Sequence, residues 1–177
     1  IYNNSGTISQ NIGNDTADNI VCGNYFIGIN SGSITGTIKN VKVNGYSFIQ
    51  WNTENGTISL IQNCKVNNGA TVSRVDNLDK QVYDEISKDE MLGKTLDAAT
   101  GKDTAMFSPA MVVYNQGTLS NIEVCTAYDC VYVMNGGSLT VNKGEYHSSG
   151  SDSNTSGSIV GNNLGSVMAT ITTTGST

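Results

Sequence analysis

One eight-residue pattern recurs along the chain and limits what it can fold into. Gly36-Thr37-Ile38-Lys39-Asn40-Val41-Lys42-Val43 returns as Gly117-Thr118-Leu119-Ser120-Asn121-Ile122-Glu123-Val124. Gly56-Thr57-Ile58 followed by Asn63-Cys64-Lys65-Val66 is a third copy with a short insertion, and Gly6-Thr7-Ile8-Ser9-Gln10-Asn11-Ile12 opens the chain. The turn glycines Gly6, Gly32, Gly56, Gly117, Gly137 and Gly165 recur every roughly 20 to 28 residues once one excursion is set aside, a period in the range of stacked-repeat proteins. Short β-branched runs alternate with turn dipeptides such as Asn44-Gly45, which is strand-and-turn chemistry, and no helical periodicity accompanies them.

Strands of three to five residues cannot bury a face alone. Stacked at about 4.8 Å, they form parallel sheets around a narrow core of Ile and Val. The expectation is one all-β domain over residues 1–177. The Asn that precedes each apolar pair, at Asn11, Asn40, Asn63 and Asn121, is expected to form a structural ladder, with side-chain amides paired up the stack. The glycines serve corners that other residues resist.

The stretch 74–108 departs from the repeats. Thirteen of the 24 charged residues lie within 74–103, eight acidic and five basic. Val82, Tyr83 and Ile86 have helical spacing, and Ser87-Lys88-Asp89-Glu90 reads as a capping box. We read 74–108 as a charged, partly helical insertion between coils.

Composition excludes several functions. Hydrophobic content is 37 %, charged content 14 % and net charge −6. No basic stripe exists for a nucleic-acid backbone to follow, and no apolar run approaches the ~18 residues of a membrane span. The first residue is Ile and no signal peptide is visible, so the chain reads as a mature or excised piece. Cys22, Cys64, Cys125 and Cys130 form no C-x-x-C pair and His147 is the sole histidine, which argues against a structural zinc. Cys64 and Cys125 hold comparable places and would lie close together if the coils stack; buried, unpaired thiols are the expectation, and a disulfide between two of the four is the alternative.

Catalysis finds little support. Outside the excursion the acids are Asp15, Asp18, Glu54, Glu123, Asp129, Glu145 and Asp152, with no two at matching places in consecutive units, whereas glycoside chemistry needs a carboxylate pair at a set separation. We expect no catalytic residue, no metal and no cofactor. Gly93-Lys94-Thr95 lacks the earlier glycine of a phosphate loop. Among aromatics beside strands, Trp51 and Tyr46 are the candidates for stacking on a glycan.

The units resemble the GLUG-type repeats of bacterial surface and secreted proteins. Ile159-Val160-Gly161-Asn162-Asn163-Leu164-Gly165-Ser166-Val167 is similar to the first half of that motif, Gly56-Thr57-Ile58 with Asn63-Cys64-Lys65-Val66 to the second, and Ile27 through Gly45 to both with extra residues. The resemblance covers most of the chain outside 74–108. It implies a right-handed parallel β-helix (a β-solenoid) in an exported, adhesin-like protein, extracellular or at the cell surface, and brings no catalytic residues with it. The expected function is a non-enzymatic structural or adhesive surface segment, with a surface glycan or a host protein as partner. One alternative is a self-assembling filament subunit that associates through its solenoid ends. Another is a glycan-binding or polysaccharide-degrading β-helix.

Overall fold

The computed structural model describes residues 1–13, 15–16, 20–23, 25–45, 47–66, 75–76, 106–107, 110–127, 130–146, 160–163 and 165–170. These residues form strands and turns, with no helix among them. The first pass of the chain supplies β1 (Asn3–Asn4), β2 (Thr7–Ile8) and β3 (Ile20–Cys22). The second supplies β4 (Tyr25–Asn30), β5 (Ser33–Lys39) and β6 (Val41–Val43), and the third β7 (Ser47–Asn52), β8 (Thr57–Gln62) and β9 (Lys65–Val66). After β10 (Val75–Asp76) and β11 (Met106–Phe107), which pair antiparallel with each other, the passes resume. They are β12 (Ala110–Asn115) with β13 (Thr118–Ala127), β14 (Cys130–Asn135) with β15 (Ser138–Tyr146), and β16 (Val160–Asn163) with β17 (Ser166–Thr170).

Every pass places one strand in each of two parallel sheets. The first sheet runs β1-β4-β7-β12-β14-β16. The second contains β2, β5, β8, β13, β15 and β17 in the same succession. The short strands β3, β6 and β9 extend it by pairing with one another, and β9 then meets the end of β13. Parallel neighbours need a crossover, and each sheet is the crossover of the other. The expected stacking of passes is thus observed. The expected helices of 74–108 lie outside the described residues, of which only β10 and β11 fall in that stretch.

Inward apolar positions, three residues apart in β8 and β13, build the core. In β8, Ile58 and Ile61 are buried while Thr57 and Ser59 are exposed. Ile34, Ile58, Leu119 and Leu139 occupy one register column, and Ile38, Ile61, Ile122 and Val141 the next. Each side chain is essentially solvent-free, and full burial of such a group is worth about 1.5–3 kcal/mol. The first sheet differs. Consecutive residues Phe48-Ile49 and Met111-Val112-Val113 are all buried, so that sheet is covered on both faces, as parallel sheets commonly are. Phe26 and Phe48 stack along it with ring centroids 5.0 Å apart.

Two polar devices fix the corners. At the end of the first sheet Asn4, Asn30, Asn52, Asn115 and Asn135 fall in register, all buried. Each amide nitrogen donates to the next side-chain oxygen: Asn4 to Asn30, Asn30 to Asn52 and Asn52 to Asn115 at 2.8 Å, and Asn115 to Asn135 at 2.7 Å. Asn52 and Asn115 also donate to the carbonyls of Gly56 and Gly117 in their own turns. Those glycines form the adjoining column. A Cβ on Gly32, Gly117, Gly137 or Gly165 would lie 2.1 Å from the carbonyl oxygen of the preceding turn glycine, which excludes any larger residue. The need for glycine is close approach, rather than the special corner conformation expected from the sequence.

The second corner ends the Ile columns. Asn40, Asn63 and Val124 all take left-handed backbone (φ 54°, 49° and 53°). Asn63 donates to Asn40 at 2.6 Å. The four asparagines expected to form one ladder separate here. Asn40 and Asn63 share this corner. Asn11 and Asn121 stand one residue before Ile12 and Ile122, which occupy the column of Ile38. Asn11 accepts from the Thr37 N–H at 2.9 Å, and Asn121 accepts from Asn142 at 2.7 Å. The inward side chains and the glycine column set the register. They align Gly117 with Gly32 and Gly56, not with Gly36.

Candidate functional site

The outward positions of the second sheet form the most regular polar surface among the described residues. One step after each turn glycine stands a hydroxyl: Thr7, Ser33, Thr57, Thr118, Ser138 and Ser166, in continuous parallel register. The inward Ile, Leu or Val follows, and then Ser9, Thr35, Ser59, Ser120, Thr140 and Met168. Eleven of these twelve outward positions are Ser or Thr; Met168, in the last strand, is the exception and is exposed. All are exposed or half-exposed. Strand geometry places the two columns about 6.7 Å apart, with rungs about 4.8 Å apart. Within the face, Thr57 donates to Ser33 Oγ at 2.9 Å.

Charge collects beside this face. The column beyond it holds Lys39, Gln62, Glu123 and Asn142, and the column past the corner Val21, Lys42, Lys65, Thr126 and Glu145. Gln62 Nε2 donates to Glu123 at 3.2 Å. Lys39 pairs with Asp15, whose hydrogen bond and charge from Lys39 hold its carboxyl below the usual range. Glu54 is exposed on the turn before Gly56. Asp18, Asp129, Asp152 and His147 lie outside the described residues. Among the described residues no three His, Cys, Asp or Glu side chains are grouped to hold a metal ion.

Trp51 is half-exposed on the first sheet, in register between Ile29 and Tyr114. Its indole stacks on the Tyr114 ring at 6.3 Å and 12°, and its Nε1–H donates to Gln116 Oε1 at 2.8 Å. The other proposed glycan-stacking residue, Tyr46, lies outside the described residues. The two hydroxyl columns were not anticipated from sequence. Their signal was present in the run Asn-x-Gly-Ser/Thr-apolar-Ser/Thr at Asn4, Asn30, Asn115 and Asn135.

Cys64 and Cys125 face each other on neighbouring passes, fully buried and unpaired, with the Cys64 N–H 3.4 Å from Cys125 Sγ. Burial, reinforced by Cys64, raises the Cys125 thiol well above its ordinary range. A thiol so placed is a packing group, because thiolate is the reactive form.

No family model, curated protein or solved structure matches this chain.

Proposed function

We propose that this chain is a segment of a right-handed parallel β-helix that works as a non-enzymatic structural and adhesive element on the outside of a bacterial cell. One observation carries the reading. At the ladder corner register is held through five passes although the rungs lie 26, 22, 63 and 20 residues apart in sequence. A scaffold that keeps its repeat while its connections vary is suited to displaying a fixed surface. The likeness of its units to GLUG-type repeats supports export, and the scattered acids favour display over hydrolysis. The charged stretch 74–108 falls in sequence between the third and fourth passes.

Adhesion is tested with beads carrying the purified chain, flowed over polysaccharide-coated and host-matrix-protein-coated surfaces. Retention on either, without release of reducing sugar ends, is the expected result. Product release from a polysaccharide would make the protein an enzyme. Filaments of fixed width in electron micrographs, lengthening with concentration, would move the function to an assembled fibre.

A further inference from the structure

We infer that the two outward Ser/Thr columns of the second sheet form a binding face for an extended, neutral polysaccharide laid along the stack. The inference rests on the adhesive reading and names the ligand class and the face that takes it.

The chain contains its own control. The outward positions of this sheet lie on parallel strands, with register shifts between Ile34 and Thr37 and between Leu119 and Ile122, yet their composition differs by column. The columns through Lys39 and Lys42 vary freely among Lys, Gln, Glu, Asn, Thr and the exposed Val21, as solvated strand positions do. The two columns next to the glycines hold only hydroxyl residues in the first five passes. Core packing cannot impose this, since the side chains point away from Ile34, Ile58, Leu119 and Leu139. Strand propensity accounts for Thr but not for Ser. Solubility and protection from edge pairing would favour charge, which is absent here in a chain of net charge −6. The insertion between Val66 and Ala110 leaves the columns unbroken, with Thr57 paired directly to Thr118.

The chemistry narrows the ligand. A hydroxyl both donates and accepts, and so do the hydroxyls of a sugar. Six rungs at about 4.8 Å give a strip about 24 Å long, enough for several sugar residues in a row. With no cation in the strip, an anionic polymer gains nothing. With no aromatic or Arg anchor and no apolar centre, the strip lacks what holds a protein partner. A rigid array also spares the ligand the cost of ordering its binding site.

Co-sedimentation of the full chain with insoluble cellulose, chitin and β-1,3-glucan tests the inference. The variants are Thr57→Val with Thr118→Val, which removes two central hydroxyls while keeping shape and strand propensity. Ser59→Lys places a charge in the second column, and Lys65→Ala with Thr126→Val is the control on the neighbouring face. We expect binding to at least one polymer, weakened about tenfold or more by the double valine variant and by Ser59→Lys but not by the control, as two lost hydrogen bonds would produce. Matching urea midpoints show that the variants fold. Wild-type protein that sediments with none of the three polymers, or variants that bind equally, would overturn the inference. So would inhibition of ice recrystallisation without polysaccharide binding, which would assign the array to another lattice. Beads retained on matrix protein but not on polysaccharide would leave adhesion standing and remove this face from it.

Discussion

Asn30 donates its side-chain amide to Asn52 across 2.8 Å, and neither residue has measurable solvent exposure. The two are 22 positions apart and belong to different passes of the chain. Asn52 repeats the gesture to Asn115 and also closes its own turn through Gly56. A buried amide is costly unless every group is paired, so each rung depends on both neighbours.

Replacing Asn52 with Ala leaves the Asn30 donor and the Asn115 acceptor buried without partners. Each orphan costs about 1–3 kcal/mol, so destabilisation of about 2–6 kcal/mol is expected in urea unfolding. Asn4→Ala, at one end of the described ladder, orphans only one ladder neighbour, Asn30, together with the part-buried Gly6 N–H that it accepts at 3.3 Å, and should cost less.

The glycine column gives a sharper contrast. A Cβ at Gly117 would lie 2.1 Å from the Gly56 carbonyl, whereas at Gly6 it would meet nothing within 4 Å. Gly117→Ala should therefore lose several kcal/mol or fail to fold, with a cost above the about 1–3 kcal/mol of ordinary overpacking. Gly6→Ala should be nearly silent, and far-UV circular dichroism with thermal melting separates the two.

Val124 holds the left-handed corner that Asn occupies on two other passes, and it is 47 % exposed. A β-branched residue is strained there, at roughly 1–2 kcal/mol. Val124→Asn should raise stability by about 1 kcal/mol and the melting temperature by about 2–4 °C. An unchanged or lower melting temperature would show that Val124 makes a contact that offsets its strain.

These substitutions also mark what the sequence made legible. The inward Ile columns, the spacing of the turn glycines and the parallel stacking could all be read, because alternation and turn chemistry are local. The register of the fourth pass was legible in the turn-glycine series, which sets Gly117 beside Gly56, but a competing match hid where its corner falls. Gly117-Thr118-Leu119-Ser120-Asn121 copies Gly36-Thr37-Ile38-Lys39-Asn40 letter for letter at three places. The fold instead aligns Gly117 with Gly56, because only glycine fits against that carbonyl. The corner therefore falls on Val124, and Asn121 stands three residues before it. The buried ladder was visible only as apolar runs that end in Asn, since its pairing spans up to 63 residues. The hydroxyl face was present as the recurring run Asn-x-Gly-Ser/Thr-apolar-Ser/Thr, and the register shows that its members stack.

The thiols give a pH prediction. Burial raises the Cys125 thiol above its ordinary value of 9.0 in the folded chain. Its contribution to stability is fully present below about pH 9 and is lost as pH rises toward the folded value, because only the unfolded chain releases the proton easily. Stability should fall as pH rises above about 9, and Cys125→Ala should flatten that limb. Under native conditions at pH 8, iodoacetamide followed by peptide mass analysis should label Cys22, which is half-exposed, and spare Cys64 and Cys125. Rapid native labelling of Cys64 or Cys125 would contradict their burial.

The most direct measurement of the stacked parallel register is a cross-link across the insertion. Thr57 and Thr118 are exposed and directly paired, and parallel neighbours about 4.8 Å apart fall within reach of a disulfide. Thr57→Cys with Thr118→Cys should oxidise readily to an intramolecular bridge between those two positions, located by peptide mass analysis. Thr57→Cys with Ser138→Cys, two rungs apart at about 9.6 Å, should not. A bridge in the second pair and none in the first would contradict the register, and with it the ladder, the corner and the hydroxyl face.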